Sequence, residues 1–205
     1  MKNGVLIFLG VFFTLAFSYT GVVLIPNMQF GGLEIAETET GNFPVVTSGL
    51  AARGEKVYLD LGCVYCHTQQ VRRPDYGGDF GRGWGDRQSV ARDYVGDRTM
   101  VLGTMRTGPD LRNVGDRIPD ASWHYRHLYN SRLIHENSIM PPYRFLFEKR
   151  EIRSEPHPRA LTGLGDEAPP EGYEIVPTAR ADALVAYLLS RTLDYDLEES
   201  QRVAD

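Results

Sequence analysis

The sequence contains little cysteine and little lysine, and both shortages narrow the functions it can have. Among its 205 residues the only cysteines are Cys63 and Cys66, so a four-ligand zinc site would need histidines, and no histidine pair has zinc-finger spacing. Basic charge is almost all arginine, because only positions 2, 56 and 149 are lysine. The net charge of -5 argues against nucleic-acid binding and is compatible with a solvated acidic surface or with a basic docking partner.

The two cysteines belong to the stretch Cys63-Val64-Tyr65-Cys66-His67, which has the C-x-x-C-H pattern of c-type haem attachment. The two thiols add to the vinyl groups of one haem, and the adjacent histidine supplies an iron ligand. A thioredoxin-like pair would need a βαβ setting that the neighbouring sequence does not predict. A disulfide across two residues would be strained and would leave His67 unexplained. The motif therefore predicts one covalent haem c and an electron carrier.

Charge is absent from Gly4 to Ile25. As a helix this run would span roughly 33 Å, close to the hydrocarbon core of a bilayer, which is roughly 30 Å thick. A cleaved signal peptide would have a shorter apolar region and a small-residue cleavage site, whereas bulky residues end this run before Pro26. The sequence therefore predicts a retained single-pass anchor at 4–25, with Lys2 on the cytoplasmic side and the haem domain on the periplasmic, outer side of the inner membrane.

The remainder of the chain divides into three predicted parts. Residues 27–46 contain glycine, proline and three glutamates and are predicted to be a linker. Residues 47–193 form the predicted haem domain. Residues 194–205 are acidic and are predicted to be a mobile tail.

Within the haem domain the pattern predicts a mainly α fold with long irregular loops. Three helices are predicted from a capping residue followed by apolar residues at helical spacing: Thr47 or Ser48 to about Leu61, Asp120 or Ser122 to about Arg132, and Thr178 to about Arg191. The first helix would place Leu50, Gly54 and Val57 on its buried face. Segments 68–105 and 148–177 are rich in turn-forming residues and are predicted to be irregular. The insert 68–105 either covers the haem edge, docks a partner or packs on itself.

Several residues could supply the second axial ligand of the iron. Met140 is the preferred candidate, because two following prolines stiffen its loop and a thioether suits an electron-transfer haem. Met100 and Met105 flank apolar residues and are predicted to be core residues. A ligand from His124 or His127, or an open site, remains as an alternative.

The ring of His67 also needs an acceptor on its other nitrogen, and the carbonyl oxygen of Pro109 is the predicted partner. Several stretches of the chain together point to one family. They are Cys63–His67, His67–Pro74, Arg106–Leu111, Trp123–Arg132, Asn137–Tyr143 and a C-terminal Leu-Val-Ala-Tyr-Leu-Leu helix. They resemble the membrane-anchored monohaem cytochrome c subunit, or subunit II, of cbb3-type cytochrome c oxidase, with a class I cytochrome c domain. The resemblance covers most of residues 4–193.

The resemblance implies that Cys63 and Cys66 hold haem c and that His67 and Met140 are its axial ligands. It further implies a respiratory-chain role: electrons pass from a dihaem subunit or a soluble cytochrome c donor, through this haem, to the haem-copper catalytic subunit. The chain itself would then have no catalytic site. The alternatives are the monohaem subunit of a nitric oxide reductase and a free-standing, membrane-anchored shuttle cytochrome.

Three arginines are candidates for contact with haem propionates or with the partner subunit, because arginine binds carboxylates through two parallel hydrogen bonds. They are Arg72, Arg73 and Arg106, and a solvated side chain is the alternative for each.

Overall fold

The computed structural model describes residues 3–38 and 40–200. Lys2, Glu39 and residues 201–205, on which parts of the anchor, linker and tail predictions depend, lie outside the described residues. The chain divides into two compact units. One unit extends to Val45 and includes Val90–Gly96, and the other comprises Val46–Ser89 and the chain from Asp97 onward.

The first unit begins with one continuous helix, Gly4–Phe30, which is long and apolar enough to cross a membrane. It consists of α1 (Gly4–Tyr19), a π-helical turn (Thr20–Leu24) and α2 (Ile25–Phe30). Pro26 lacks an N–H, and the wider turn lies directly before it, as is common where a proline interrupts the ladder of a helix. The hydroxyls of Thr14 and Thr20 donate to the carbonyls of Gly10 and Ala16, which satisfies these polar groups inside the helix as a lipid environment requires.

The predicted linker contains a short antiparallel hairpin. Strand β1 (Ala36–Thr38) pairs with β2 (Gly41–Phe43), so that Ala36 faces Phe43. In the same unit, Arg92 donates from Nη1 to the carbonyl of Glu34 at 2.8 Å. These hydrogen bonds give the described part of the segment a defined backbone.

The described residues of the second unit, 46–89 and 97–200, contain four α-helices, and the predicted fold class, mainly α, is confirmed. They are α3 (Gly49–Asp60), α4 (Val114–Arg117), α5 (Ala121–Tyr129) and α6 (Ala179–Leu189). Ser48, Asp120 and Thr178 occupy the N-cap positions, as the sequence predicts. Helix α5 ends before the predicted Arg132, because Asn130 is extended and its side chain accepts from the N–H of Arg132 at 3.1 Å.

Helices α3 and α6 pack at very short distance, and Gly54 makes this approach possible. A Cβ at position 54 would lie 2.5 Å from the carbonyl carbon of Ala183 and 2.6 Å from Cβ of Tyr187. Next to this contact the rings of Tyr58 and Tyr187 lie 5.3 Å apart. Leu50, predicted on the buried face of α3, is instead 40% exposed, since the contact with α6 begins further along the helix.

The prediction that residues 148–177 are irregular is wrong at both ends of the segment. Strand β3 (Phe147–Glu151) pairs antiparallel with β4 (Tyr173–Pro177), and Phe147 faces Pro177 in the register. The charged residues of β3 after Phe147 are exposed, whereas most of β4 is buried. Polar and apolar residues therefore do not alternate along either strand, and this is why the sequence pattern does not predict the hairpin.

The described part of the acidic tail is packed, so the prediction of a mobile tail is wrong there. Tyr195, Leu197 and Ser200 are buried. The fully buried side chain of Arg87 donates from Nε to the carbonyl of Tyr195 at 2.9 Å. Because the guanidinium of Arg87 donates to this backbone carbonyl, it holds the tail against the rest of the second unit.

Candidate haem site

The C-x-x-C-H motif directly follows the end of α3. Gly62 adopts a left-handed backbone conformation with φ of 71°, which favours glycine, and the turn Cys63–Tyr65 follows it. The N–H groups of Cys66 and His67 both donate to the carbonyl of Cys63, at 3.1 and 3.0 Å. Both cysteines are free thiols, with Cys66 exposed and Cys63 half-buried. The turn thus presents two thiols and one imidazole from five consecutive residues.

The imidazole of His67 is oriented by the turn that contains Pro109. Its Nδ1 lies 2.7 Å from the carbonyl oxygen of Pro109, and because a carbonyl only accepts, Nδ1 carries the proton. Nε2 is then the unprotonated nitrogen, which is the form that binds a metal. A Cβ at Gly108 would lie 2.7 Å from both ring nitrogens, so glycine is required for this turn to pass along the ring.

Burial sets the protonation states of the motif. It lowers the pKa of His67, although the hydrogen bond to Pro109 opposes the shift, and the imidazole is therefore neutral near pH 7. Burial also raises the pKa of the Cys63 thiol to about 11. A protonated thiol of this kind is a poor nucleophile for disulfide exchange, which argues against a thioredoxin-like redox pair.

Asp110 connects the Pro109 turn to the chain after His67. Its fully buried carboxylate accepts from Thr68 Oγ1 at 2.5 Å and from the N–H groups of Gln70 and Arg112, both at 2.8 Å. This role of Asp110 is not among those predicted from the sequence. An aspartate directly after a proline turn is a local signal for side-chain to backbone hydrogen bonds, but the partner forty residues away could not be read from the sequence.

The first part of the insert is held by a buried ion pair. Arg106 pairs with Asp79, donates from Nη2 to the carbonyl of Gln70 at 2.6 Å, and lies 3.5 Å from the carboxylate of Asp110. Asp79 also accepts from the N–H of Arg72 at 2.7 Å. Arg106, a candidate for propionate or partner contact, is thus held by acceptors of this chain, and the insert packs on the chain that follows the motif.

Met140 lies on the loop after α5. The loop is fixed by the hydroxyl of Ser131, which donates to the carbonyl of Met140 at 3.0 Å, and by the N–H of Tyr143, which donates to the carbonyl of Leu128 at 2.8 Å. The Met140 side chain is half-buried against the core. The pKa of Tyr143 is raised by burial and also by the two cysteine thiols, which places this loop and the motif in the same region.

The prediction that Met100 and Met105 are core residues is wrong, since they are 66% and 55% exposed. The intervening chain lies along the motif, with the N–H of Gln69 donating to the carbonyl of Leu102 at 2.8 Å. Only Val101 of this segment points into the core and is buried. An extended chain alternates its side chains, so apolar neighbours do not bury both methionines.

The histidines of α5 have other partners in the structure. His124 is buried and donates from Nε2 to the carbonyl of Ile118 at 2.8 Å. The ring of His127 stacks on Trp123 with centroids 4.6 Å apart. Within residues 3–38 and 40–200, no three His, Cys, Asp or Glu side chains form a group that could hold a metal ion, so the zinc alternative finds no ligand set there.

Two comparisons with known proteins bear on this site. A family model described as "Cytochrome C oxidase, mono-heme subunit/FixO" matches residues 2–163. A search of curated proteins found no significant match. The matched residues include the haem-attachment motif, Pro109 and Met140.

Proposed function

We propose that this chain, which belongs to the cytochrome c oxidase monohaem subunit/FixO family, relays electrons through one covalently attached haem c to the haem-copper catalytic subunit. Members of this family are the monohaem subunits of cbb3-type cytochrome c oxidases and associate with that catalytic subunit in a membrane complex. The family match does not favour a nitric oxide reductase or a free-standing shuttle cytochrome.

One observation supports the site above all others: the hydrogen bond between His67 Nδ1 and the Pro109 carbonyl. It leaves Nε2 free to bind iron, beside two thiols at the spacing of haem attachment. In the proposed site Cys63 and Cys66 would hold the haem covalently, each S–H adding across one vinyl group so that sulfur bonds to one vinyl carbon and the proton to the other. His67 and Met140 would hold the iron.

When bound, haem supplies one-electron oxidation and reduction near the potential set by its ligands and surroundings. The chain's own residues hold the ligands still. Pro109 fixes the ring orientation of His67, and Asp110 fixes the backbone after the motif. Ser131 holds the Met140 backbone. Such fixed ligands limit rearrangement when the charge of the iron changes, which favours fast electron transfer.

The arrangement in the membrane is part of the proposal. The apolar helix Gly4–Phe30 would be the single membrane span and would tether the haem domain on the periplasmic side of the inner membrane. The single lysine before the helix supports this orientation. The electron donor would be a dihaem subunit or a soluble cytochrome c, and this chain would contribute no catalytic site of its own.

Purification of the full chain in mild detergent through a C-terminal tag tests the function. A haem-stained denaturing gel should show covalent haem on this chain, and a haem-copper subunit should co-elute with it and consume O2. Consumption of NO instead would favour the reductase. Elution of the haem-stained chain alone would favour a free-standing cytochrome, and a chain without stain would refute haem attachment.

Replacement of Met140 tests the second axial ligand. Met140→Ala should remove the thioether-to-iron charge-transfer band of the oxidised protein and the low-spin bands of the reduced protein. Met105→Ala is the matched control, because this methionine is exposed, and it should leave both spectra unchanged. Retention of the charge-transfer band in Met140→Ala would show that the ligand assignment is wrong.

A further inference from the structure

Asp110 carries a buried charge beside the proposed iron ligand. His67 donates from Nδ1 to the carbonyl of Pro109 at 2.7 Å, and the next residue of each segment takes part in a second bond, from Thr68 Oγ1 to the Asp110 carboxylate at 2.5 Å. Asp110 is fully buried. Because the two bonds join consecutive residues, the carboxylate lies one residue away from the imidazole along both segments.

The imidazole of His67 responds to this charge. Burial lowers the pKa of His67, whereas the hydrogen bond to Pro109 and the negative charge of Asp110 both oppose the shift. An iron bound to Nε2 would be attached to the same ring. The carboxylate of Asp110 therefore lies within electrostatic range of the proposed iron site.

The hydrogen bonds of the Asp110 carboxylate favour its ionised form. It accepts from the hydroxyl of Thr68 and from the N–H groups of Gln70 and Arg112, both at 2.8 Å, and an ionised carboxylate is a pure acceptor. These three donors are neutral groups. They stabilise the charge through their dipoles and do not cancel it.

The neighbouring cations compensate the Asp110 carboxylate only in part. Arg106 lies 3.5 Å from it but pairs more closely with Asp79, so that one cation serves two buried anions. Arg117 donates to the backbone carbonyl of Asp110, at 2.8 Å, and not to its carboxylate. The group formed by Arg106, Asp79 and Asp110 therefore carries a net negative charge close to the motif.

We propose that the buried charge of Asp110 lowers the midpoint potential of the haem, an inference that rests on the proposed function. Oxidised iron carries one more positive charge than reduced iron, so a fixed negative charge nearby stabilises the oxidised form. The interaction is stronger in a buried site, where the effective dielectric constant is low. The surroundings of a haem are one of the means by which a protein sets its potential. A lower potential makes the haem a stronger reductant toward the haem-copper subunit.

A purely structural role of Asp110 would have the opposite effect on the potential. If the carboxylate only held the chain after His67, its loss would loosen that chain and admit water to the site. Water favours the more highly charged oxidised form, and solvent access influences the potential of a metal site. Loss of the charge should therefore raise the potential, whereas loss of the structure should lower it.

The test is a redox titration of the full chain, purified with haem in mild detergent and followed in the visible spectrum. Asp110→Asn keeps the shape of the side chain and removes its charge. Asp75→Asn is the control, because it removes an equal charge from a surface pair with Arg73, in which both side chains are more than 60% exposed and water weakens the interaction. The thioether-to-iron charge-transfer band of the oxidised protein reports whether Met140 still binds.

Asp110→Asn should raise the midpoint potential and keep the charge-transfer band, and Asp75→Asn should change neither. An unchanged or lowered potential in an Asp110→Asn chain that keeps the band would overturn the proposal. So would an equal rise in Asp75→Asn, because the effect would then not depend on a buried charge beside His67.

A second variant decides the question if Asp110→Asn does not fold or loses the charge-transfer band. Asp79→Asn removes the closer partner of Arg106 and leaves Asp110 as the nearby carboxylate, at 3.5 Å. The charges of Arg106 and Asp110 then balance, so the potential should rise, by less than in Asp110→Asn. A potential equal to or below that of the unmodified chain would overturn the proposal.

The haem stain of the unmodified chain separates failure of this inference from failure of the proposed function. A chain with covalent haem whose potential does not respond to these substitutions refutes only the role of Asp110. A chain without haem refutes haem attachment itself.

Discussion

The second unit is held together in two different ways in two neighbouring regions. In the helix crossing, α3 and α6 touch through Gly54, Tyr58 and Tyr187, and the contact is close packing of apolar surface. In the loop framework, Asp79, Arg106 and Asp110 bind the backbone that follows His67 through charged hydrogen bonds. The first region depends on shape, and the second depends on charges that are paired.

The difference follows from the backbone in each region. A helix satisfies its own N–H and C=O groups, so its side chains are free to pack. The chain after His67 belongs to no described helix or strand, so several of its buried backbone groups need acceptors and donors from side chains. A carboxylate can accept several N–H groups at once, as Asp110 does for Gln70 and Arg112. Buried charges are thus an effective way to fix an irregular loop beside the proposed haem ligand His67.

The largest effect is expected from removing one charge of the loop framework. Asp79→Ala removes the closest carboxylate partner of Arg106, with Asp110 remaining 3.5 Å away, and leaves the N–H of Arg72 without its carboxylate acceptor. Breaking a buried ion pair typically costs about 3–5 kcal/mol. We expect this loss in the free energy of unfolding, measured by guanidinium denaturation of the full chain in detergent and followed by the fluorescence of Trp84, which lies 5.3 Å from the Arg106 guanidinium.

The matched control is an aspartate in an exposed pair. Asp60 binds Lys56 at 3.0 Å on α3, with side chains 47% and 77% exposed. Asp60→Ala should cost about 0.3–0.5 kcal/mol, as exposed helix pairs do. Equal losses for Asp79→Ala and Asp60→Ala would mean that burial of the charge contributes nothing to the loop framework.

The helix crossing should respond to added volume. Gly54→Ala places a methyl group 2.6 Å from Cβ of Tyr187 and into the Ala183 backbone, which cannot rotate away. Overpacking usually costs about 1–3 kcal/mol, and we expect the upper end, about 3 kcal/mol, in the same denaturation assay. Gly81→Ala is the control, since only the carbonyl of Gly78 lies near, at 3.8 Å. A stable Gly54→Ala chain would contradict the close approach of the two helices.

The two regions also differ in how much of them can be predicted from the sequence. The caps Ser48, Asp120 and Thr178 and the helical spacing after them lie close together in the chain, and the three helices follow from them. The C-x-x-C-H motif is local in the same sense. Asp79 and Arg106 carry no such signal, because their meeting depends on the path of the loop between them.

The hairpin at 147–177 shows a second reason why part of the fold is not predicted from the sequence. Its strands do not alternate between polar and apolar residues, because one strand is largely buried and its partner is largely exposed. Local sequence patterns therefore predict the helices and the haem-attachment motif. They do not predict which polar groups far apart in the sequence pair with each other.

The smallest predicted effect, a response to pH, belongs to the helical side of the unit. His127 on α5 stacks on Trp123. Burial, together with the smaller effects of the charges of His135, His124 and His67, lowers its pKa to about 4. The unfolded chain, with a pKa of about 6.5, binds the proton more readily. Stability should therefore be complete above pH about 6.5 and should fall as the pH approaches about 4.

By linkage, this single group should cost the folded chain about 2 kcal/mol between pH 7 and pH 5. His127→Phe keeps an aromatic ring against Trp123 but has no side-chain group that binds a proton. Between pH 7 and pH 5 this variant should therefore lose about 2 kcal/mol less stability than the unmodified chain. The measurement is the free energy of unfolding at both pH values for the two haem-loaded chains. Equal losses of stability in the two chains would mean that groups other than His127 cause the acid sensitivity. A smaller loss in the variant would assign the sensitivity to α5 and not to the loop framework.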